Sequence, residues 1–216
     1  MGFVTSKLDD IIKHLKLIYC EAIGIEYMYI RDPKKVSWIQ EKLNVNNNHP
    51  RFSIDRKKHI LKKLNEALSF ESFLHTKYVG QKRFSLEGGE SLIPALDALI
   101  MAADELGVED FVMGMAHRGR LNTLANIFGK STKDIFSEFD GKDYDQTVFD
   151  GDVKYHMGWT SKIDPNKDGQ KINITLAPNP SHLETVGAIV QGITRAKLEN
   201  KFNSDTSKVL PIIVHG

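Results

Sequence analysis

Apolar residues recur at three- and four-residue steps through the first third of the chain. Between Ser6 and Ile23, the residues Leu8, Ile11, Ile12, Leu15 and Ile18 fall on one helical face. Asp32 followed by Pro33 reads as a cap and first helical residue, because the carboxylate can accept from free N–H groups and proline loses nothing at that position. It opens the segment KKVSWIQEKL, with Val36, Ile39 and Leu43 on one side. The turn-forming run NVNNNHP interrupts, and Ser53 then stands ready to cap DRKKHILKKLNEAL, whose buried stripe is expected at Ile60, Leu61, Leu64 and Leu68. Residues 1–78 are therefore expected to form a helical region.

The pattern changes after Gly80. Short hydrophobic runs, DFVMGMA (110–116), KINITLA (171–177) and KVLPIIVHG (208–216), alternate with helical stretches at 91–107, 121–129 and 183–200. Strands alternating with helices predict a parallel sheet. The expected fold class is α/β: a helical N-terminal region, 1–78, then the first part of a parallel-sheet domain, 79–216. In such sheets ligands bind beyond the carboxyl ends of the strands, which singles out AHRGR (116–120), PNPSH (178–182) and the His215-Gly216 end.

Composition narrows the function. Across 216 residues, Lys and Arg total 29 against 28 Asp and Glu, a net charge of +1. That balance gives no general attraction to nucleic acid or to an anionic membrane, so any anion site must be local. Cys20 is the only cysteine, which excludes an internal disulfide and fits a reducing compartment; a small core residue is its expected role. No run of 18 apolar residues occurs, and MGFVTSKLDD lacks the pattern of a signal peptide. A cytoplasmic protein is expected.

The chemistry concentrates in the loops. His117, Arg118 and Arg120 sit at a strand-to-helix junction, where free N–H groups and the helix dipole favour an anion. Arginine adds a fixed fork of donors for an oxyanion, and histidine adds a donor that titrates near neutrality. The arginines could equally cap neighbouring structure. His156, in GDVKYHMGWTS, is surrounded by Tyr155, Met157 and Trp159, which suggests a packed aromatic cluster. Ser181 in PNPSH can serve as an N-cap, with Glu184 completing a capping box. FSLEGGES (84–91) lacks both P-loop and Rossmann spacing and reads as a tight turn into a helix. His14, His49, His59 and His75 show no metal-ligand spacing and are expected at the surface or in packing.

In order and spacing, KRFSLEGGESLIPALDALI, MGMAHRGRLNTLANIFGK, GDVKYHMG, NPSHLE and VLPIIVHG resemble the thiamine-diphosphate-dependent E1 component of 2-oxoglutarate dehydrogenase. The upstream YCEAIGIEYMYI and WIQEKL extend the resemblance over nearly the whole chain. It implies that 79–216 is the N-terminal part of a thiamine-diphosphate-binding domain. Arg118, Ser181 and Leu183 would contact the cofactor; His117 and His156 would be catalytic and meet the substrate; Ser181 and Thr160 would also lie near substrate. The implied reaction, an oxidoreductase step of the tricarboxylic acid cycle, decarboxylates 2-oxoglutarate and passes succinyl to the lipoyl group of the E2 dihydrolipoyl succinyltransferase.

The resemblance also implies a homodimer and a Mg2+ ion, whose ligands are expected beyond residue 216 and none of them within the chain. On that reading the chain is an N-terminal fragment that is inactive alone. A bacterial cytoplasmic setting is preferred to the mitochondrial matrix. Two other readings stay open at this point, a non-catalytic interaction module and a relative acting on 2-oxoadipate.

Overall fold

The computed structural model describes residues 7–140, 156–179 and 184–215. They form two compact units, Met1–Lys57 and Lys58–Gly216.

The first unit contains α1 (Leu8–Tyr19), α2 (Pro33–Val45) and the start of α3 (Ile54–Lys77). Both expected caps form: Asp32 accepts from the Lys34 N–H at 2.9 Å, and the Ser53 hydroxyl accepts from the Arg56 N–H at 3.2 Å. Ile18, Tyr27 and Leu43 make its core, with Val36 and Ile39 packed against them. Leu8 and Ile12 remain exposed, so only the C-terminal part of the α1 stripe is buried. Cys20 is exposed rather than core, because it follows the last turn of α1 as its C-cap.

The second unit is built on one sheet. Its strands are β1 (Asp110–Met115), β2 (Trp159–Ile163), β3 (Ile172–Leu176) and β4 (Val209–Val214), in the order β2-β3-β1-β4. β3, β1 and β4 are parallel; β2 pairs antiparallel with β3 at the edge. Pro211 sits in β4, opposite Val112. An edge strand tolerates the missing N–H.

β1 is buried on both faces, and alternation sorts its side chains. Phe111, Met113 and Met115 pack against α3, α4 (Leu92–Glu105), α5 (Arg120–Asn126) and α6 (Thr132–Phe139), through residues such as Phe70, Ile93, Leu124 and Ile135. Val112 faces the other way, onto Val186 and Val190 of α7 (Thr185–Lys201). α7 is also tied to β1 by charge, since the buried Asp110 meets Lys197 Nζ at 2.5 Å and Lys201 Nζ at 3.2 Å.

Gly114 lets α7 approach this closely. A Cβ there would lie 2.6 Å from Val190 Cγ2 and 3.0 Å from Val186 Cγ2. Gly114→Ala is therefore expected to destabilise the fold by about 1–3 kcal/mol through overpacking. A lowered urea midpoint, partly restored by Val190→Ala, would check it.

The stripe expected on α3 is displaced. Leu61 is 67% and Leu68 52% exposed, and the residues that enter the core are Ala67, Phe70 and Leu74, with Glu71 also buried. The helix runs two turns beyond the segment read from sequence, and its C-terminal half is what meets the sheet. Two elements were not anticipated. α6 follows Ser131, whose hydroxyl accepts from the Lys133 N–H at 3.2 Å. β2 emerges from the segment read only as an aromatic cluster. Among the described residues, no helix is long and apolar enough to cross a membrane.

Candidate functional site

A cavity of about 520 Å³ opens at the carboxyl ends of β1 and β4. Leu86, Leu92, Met115, Val186, Ile213 and Val214 give it an apolar wall; His117, Arg118, Glu184 and His215 supply its polar groups. Such a lining suits a ligand with an apolar body and a charged end.

His117 is held by the turn that precedes α4. The Phe84 ring lies against the imidazole, with centroids 4.2 Å apart. The Phe84 carbonyl accepts from the Gly119 N–H at 2.9 Å. Gly119 has φ +74°, and a Cβ there would come within 2.5 Å of Leu86 Cδ1, so glycine is required on both counts. Behind this turn, buried Glu71 accepts from the Leu86 N–H and from Asn122 Nδ2, each at 3.0 Å. FSLEGGES is thus a turn into a helix, as expected, and it also forms part of the cavity wall.

Arg118 and Arg120, paired in the sequence reading, have separate tasks. Arg118 is exposed at the cavity. Arg120 is fully buried and donates to three backbone carbonyls: Met115 at 2.9 Å, Met157 at 2.8 Å and Ala177 at 2.7 Å. It binds no anion through these contacts. It joins the ends of β1 and β3 to the turn that carries His156.

His156 is buried, and its carbonyl accepts from the Asn179 N–H at 2.9 Å. Burial holds the His117 imidazole below its ordinary value of 6.5, and the neighbouring Arg118 and His156 push it the same way. The sign follows directly: a depressed native value means that the unfolded chain takes up this proton first. Stability is therefore lost as pH falls from about 6.5 toward the native value. NMR titration should place the His117 midpoint below 6.5, moving upward in Arg118→Gln.

His117, Arg118 and His156 are thus brought to one end of the sheet. Thr160 is exposed on β2, paired with Thr175, and is not among the cavity-lining residues. Ser181 and Leu183 lie outside the described residues. The expected capping box is not seen: α7 begins at Thr185, and Glu184 occupies the N-cap position with φ +68° and no side-chain cap. Leu86, Leu92 and Ile213 were missed as wall residues, because only tertiary packing brings them there. Among the described residues, no group of three or more His, Cys, Asp or Glu could hold a metal ion. The other expected histidines are accounted for in part: His14 meets Asn44 at 3.3 Å and His59 meets Asp97 at 2.6 Å.

Comparison with known proteins identifies the lineage. The chain is 47% identical over 215 residues to the 2-oxoglutarate dehydrogenase E1 component of Cupriavidus necator. It is 43% identical over 227 residues to the proteins of that name from Brucella canis and Brucella abortus. Each match covers 100% of this chain, which spans 22% of the length of each relative. The family profile described as dehydrogenase E1 component matches residues 62–216. The chain therefore belongs to the dehydrogenase E1 component family.

Proposed function

We propose that this chain is part of an E1 enzyme that decarboxylates 2-oxoglutarate with thiamine diphosphate and Mg2+ and passes succinyl to the lipoyl group of an E2 dihydrolipoyl succinyltransferase. The supporting observation is the convergence of His117, Arg118 and His156 at the carboxyl end of a parallel sheet, beside an apolar cavity. Residues 79–216 would furnish part of the cofactor-binding domain and 1–78 the helical region preceding it. The working enzyme would be a cytoplasmic homodimer.

In this reading Arg118, with Ser181 and Leu183, holds the cofactor. When bound, thiamine diphosphate supplies the electron sink for decarboxylation. The chain's own residues orient and desolvate. The apolar wall keeps water from the reacting carboxylate, which strengthens each polar contact inside. His117, kept neutral by its surroundings near pH 7, can donate one hydrogen bond to substrate and take or return a proton. His156 shares that work.

The test uses the full-length parent protein. Thiamine diphosphate with Mg2+ should support decarboxylation of 2-oxoglutarate, and Arg118→Ala should weaken cofactor binding by about 10–100-fold, the effect of losing one charge-assisted contact. Faster turnover of 2-oxoadipate would reassign the substrate. Cofactor affinity unchanged in Arg118→Ala would remove that residue from the site.

A further inference from the structure

Asn179 presents a problem of its own. It lies three residues beyond the end of β3, and its backbone is fixed by the hydrogen bond to His156. Its side chain is 1% exposed, yet neither Oδ1 nor Nδ2 has a hydrogen-bond partner. Elsewhere among the described residues, Glu71, Asp104, Thr123, Trp159 and Thr194 each leave a single buried side-chain atom without a hydrogen bond. Asn179 is the one side chain among the described residues with two such atoms, a donor and a separate acceptor.

A buried amide without partners destabilises a fold, so one that persists beside a site calls for an explanation. The two open atoms restrict what could satisfy them. A carboxylate or phosphate only accepts and would leave Oδ1 bare; an ammonium or guanidinium only donates and would leave Nδ2 bare. An amino group next to a ring nitrogen offers both, as when asparagine reads the amino edge of adenine. Asn179 does not line the cavity itself, but its loop adjoins the site: β3 neighbours β1, and the His156 carbonyl accepts from the Asn179 N–H.

We propose that the Asn179 carboxamide binds an amino-substituted nitrogen heterocycle, here the aminopyrimidine end of thiamine diphosphate. This rests on the cofactor reading given above. Asn179 is then a heterocycle-selecting residue, distinct from the groups that hold the diphosphate.

The experiment is calorimetric titration of the full-length parent, with Mg2+, against three probes: thiamine diphosphate, oxythiamine diphosphate and inorganic pyrophosphate. Oxythiamine carries an oxo group in place of the amino group and so reverses that half of the hydrogen-bond pattern. The wild type should prefer thiamine diphosphate to the oxo analogue. Asn179→Ala should weaken thiamine diphosphate about 10–100-fold and flatten the preference, the usual effect of losing one bidentate pair. Pyrophosphate affinity should stay unchanged, and the thermal midpoint of the cofactor-free variant should not fall, because the substitution deletes unpaired atoms.

Asn179→Leu, of nearly the same shape and without polar atoms, should lose the same preference while folding normally. Equal thiamine diphosphate affinity in wild type and Asn179→Ala would overturn the assignment, as expected if water alone satisfied the amide. A cofactor-free variant that is destabilised and also loses pyrophosphate would overturn it in favour of a structural role. A folded wild type that binds no thiamine diphosphate would defeat the cofactor reading itself, a different result from either.

Discussion

Replacing Arg120 with methionine is expected to lower stability by about 2–6 kcal/mol, because two buried carbonyls would each lose a donor at about 1–3 kcal/mol, and a third, partly buried, would lose one too. Those carbonyls belong to Met115 at the end of β1, Ala177 after β3 and Met157 beside His156. Typical domains hold only about 5–15 kcal/mol in total, so the variant should unfold at much lower urea or lose solubility. Arg120→Lys should recover little of this. An ammonium is a point donor on a flexible stem, whereas the guanidinium fork serves three acceptors from a fixed plane. Urea unfolding of both variants would check the order. A methionine variant as stable as the parent would mean that Arg120 is not the joint between these loops.

The expectation bears on function because of what Arg120 joins. Without it, the His117 loop and the His156 turn would no longer be held by a common atom group. Small displacements of reacting groups are costly to catalysis. A rigid buried arginine behind an exposed Arg118 therefore divides a sequence motif into a positioning half and a ligand-facing half.

That division was not legible in AHRGR itself. Two arginines two residues apart look alike in a sequence, and only the αL turn at Gly119 and the short helix behind it send one inward. What could be read were features with local causes. The Asp32 and Ser53 caps formed because a short acceptor before free N–H groups needs no tertiary help. The three parallel strands were legible as apolar runs: β1 is buried on both faces, and β3 and β4 keep most of their residues at least partly buried. Edge strand β2 was not, since its residues alternate between partly buried and exposed within five positions. The α3 stripe was misplaced because apolar spacing fixes a face but not which turns of a long helix meet a partner. For the site, His117, Arg118 and His156 stood out as polar groups in loops. Leu86 and Asn179 did not, because a cavity wall and an unsatisfied amide exist only after folding.

Glu138→Gln should destabilise the fold by about 3–5 kcal/mol, the usual result of removing one partner from a buried ion pair. The Glu138 carboxylate lies 2.6 Å from Lys130 Nζ, with the two side chains only 4% and 7% exposed. The same ammonium stands 5.0 Å from the centroid of the Trp159 ring, so the pair connects α6 to the first residue of β2. Glutamine keeps the size of the side chain but leaves the ammonium buried without its counter-charge. Replacing both partners with apolar residues, Lys130→Met with Glu138→Leu, removes the charges together and should come within about 1 kcal/mol of the parent, because neither desolvated ion then remains. A double-mutant cycle in urea would thus show strong coupling, with the double variant more stable than Glu138→Gln alone. If Glu138→Gln is instead as stable as the parent, the ammonium must find water on losing its partner. The α6 junction would then be looser than its burial indicates.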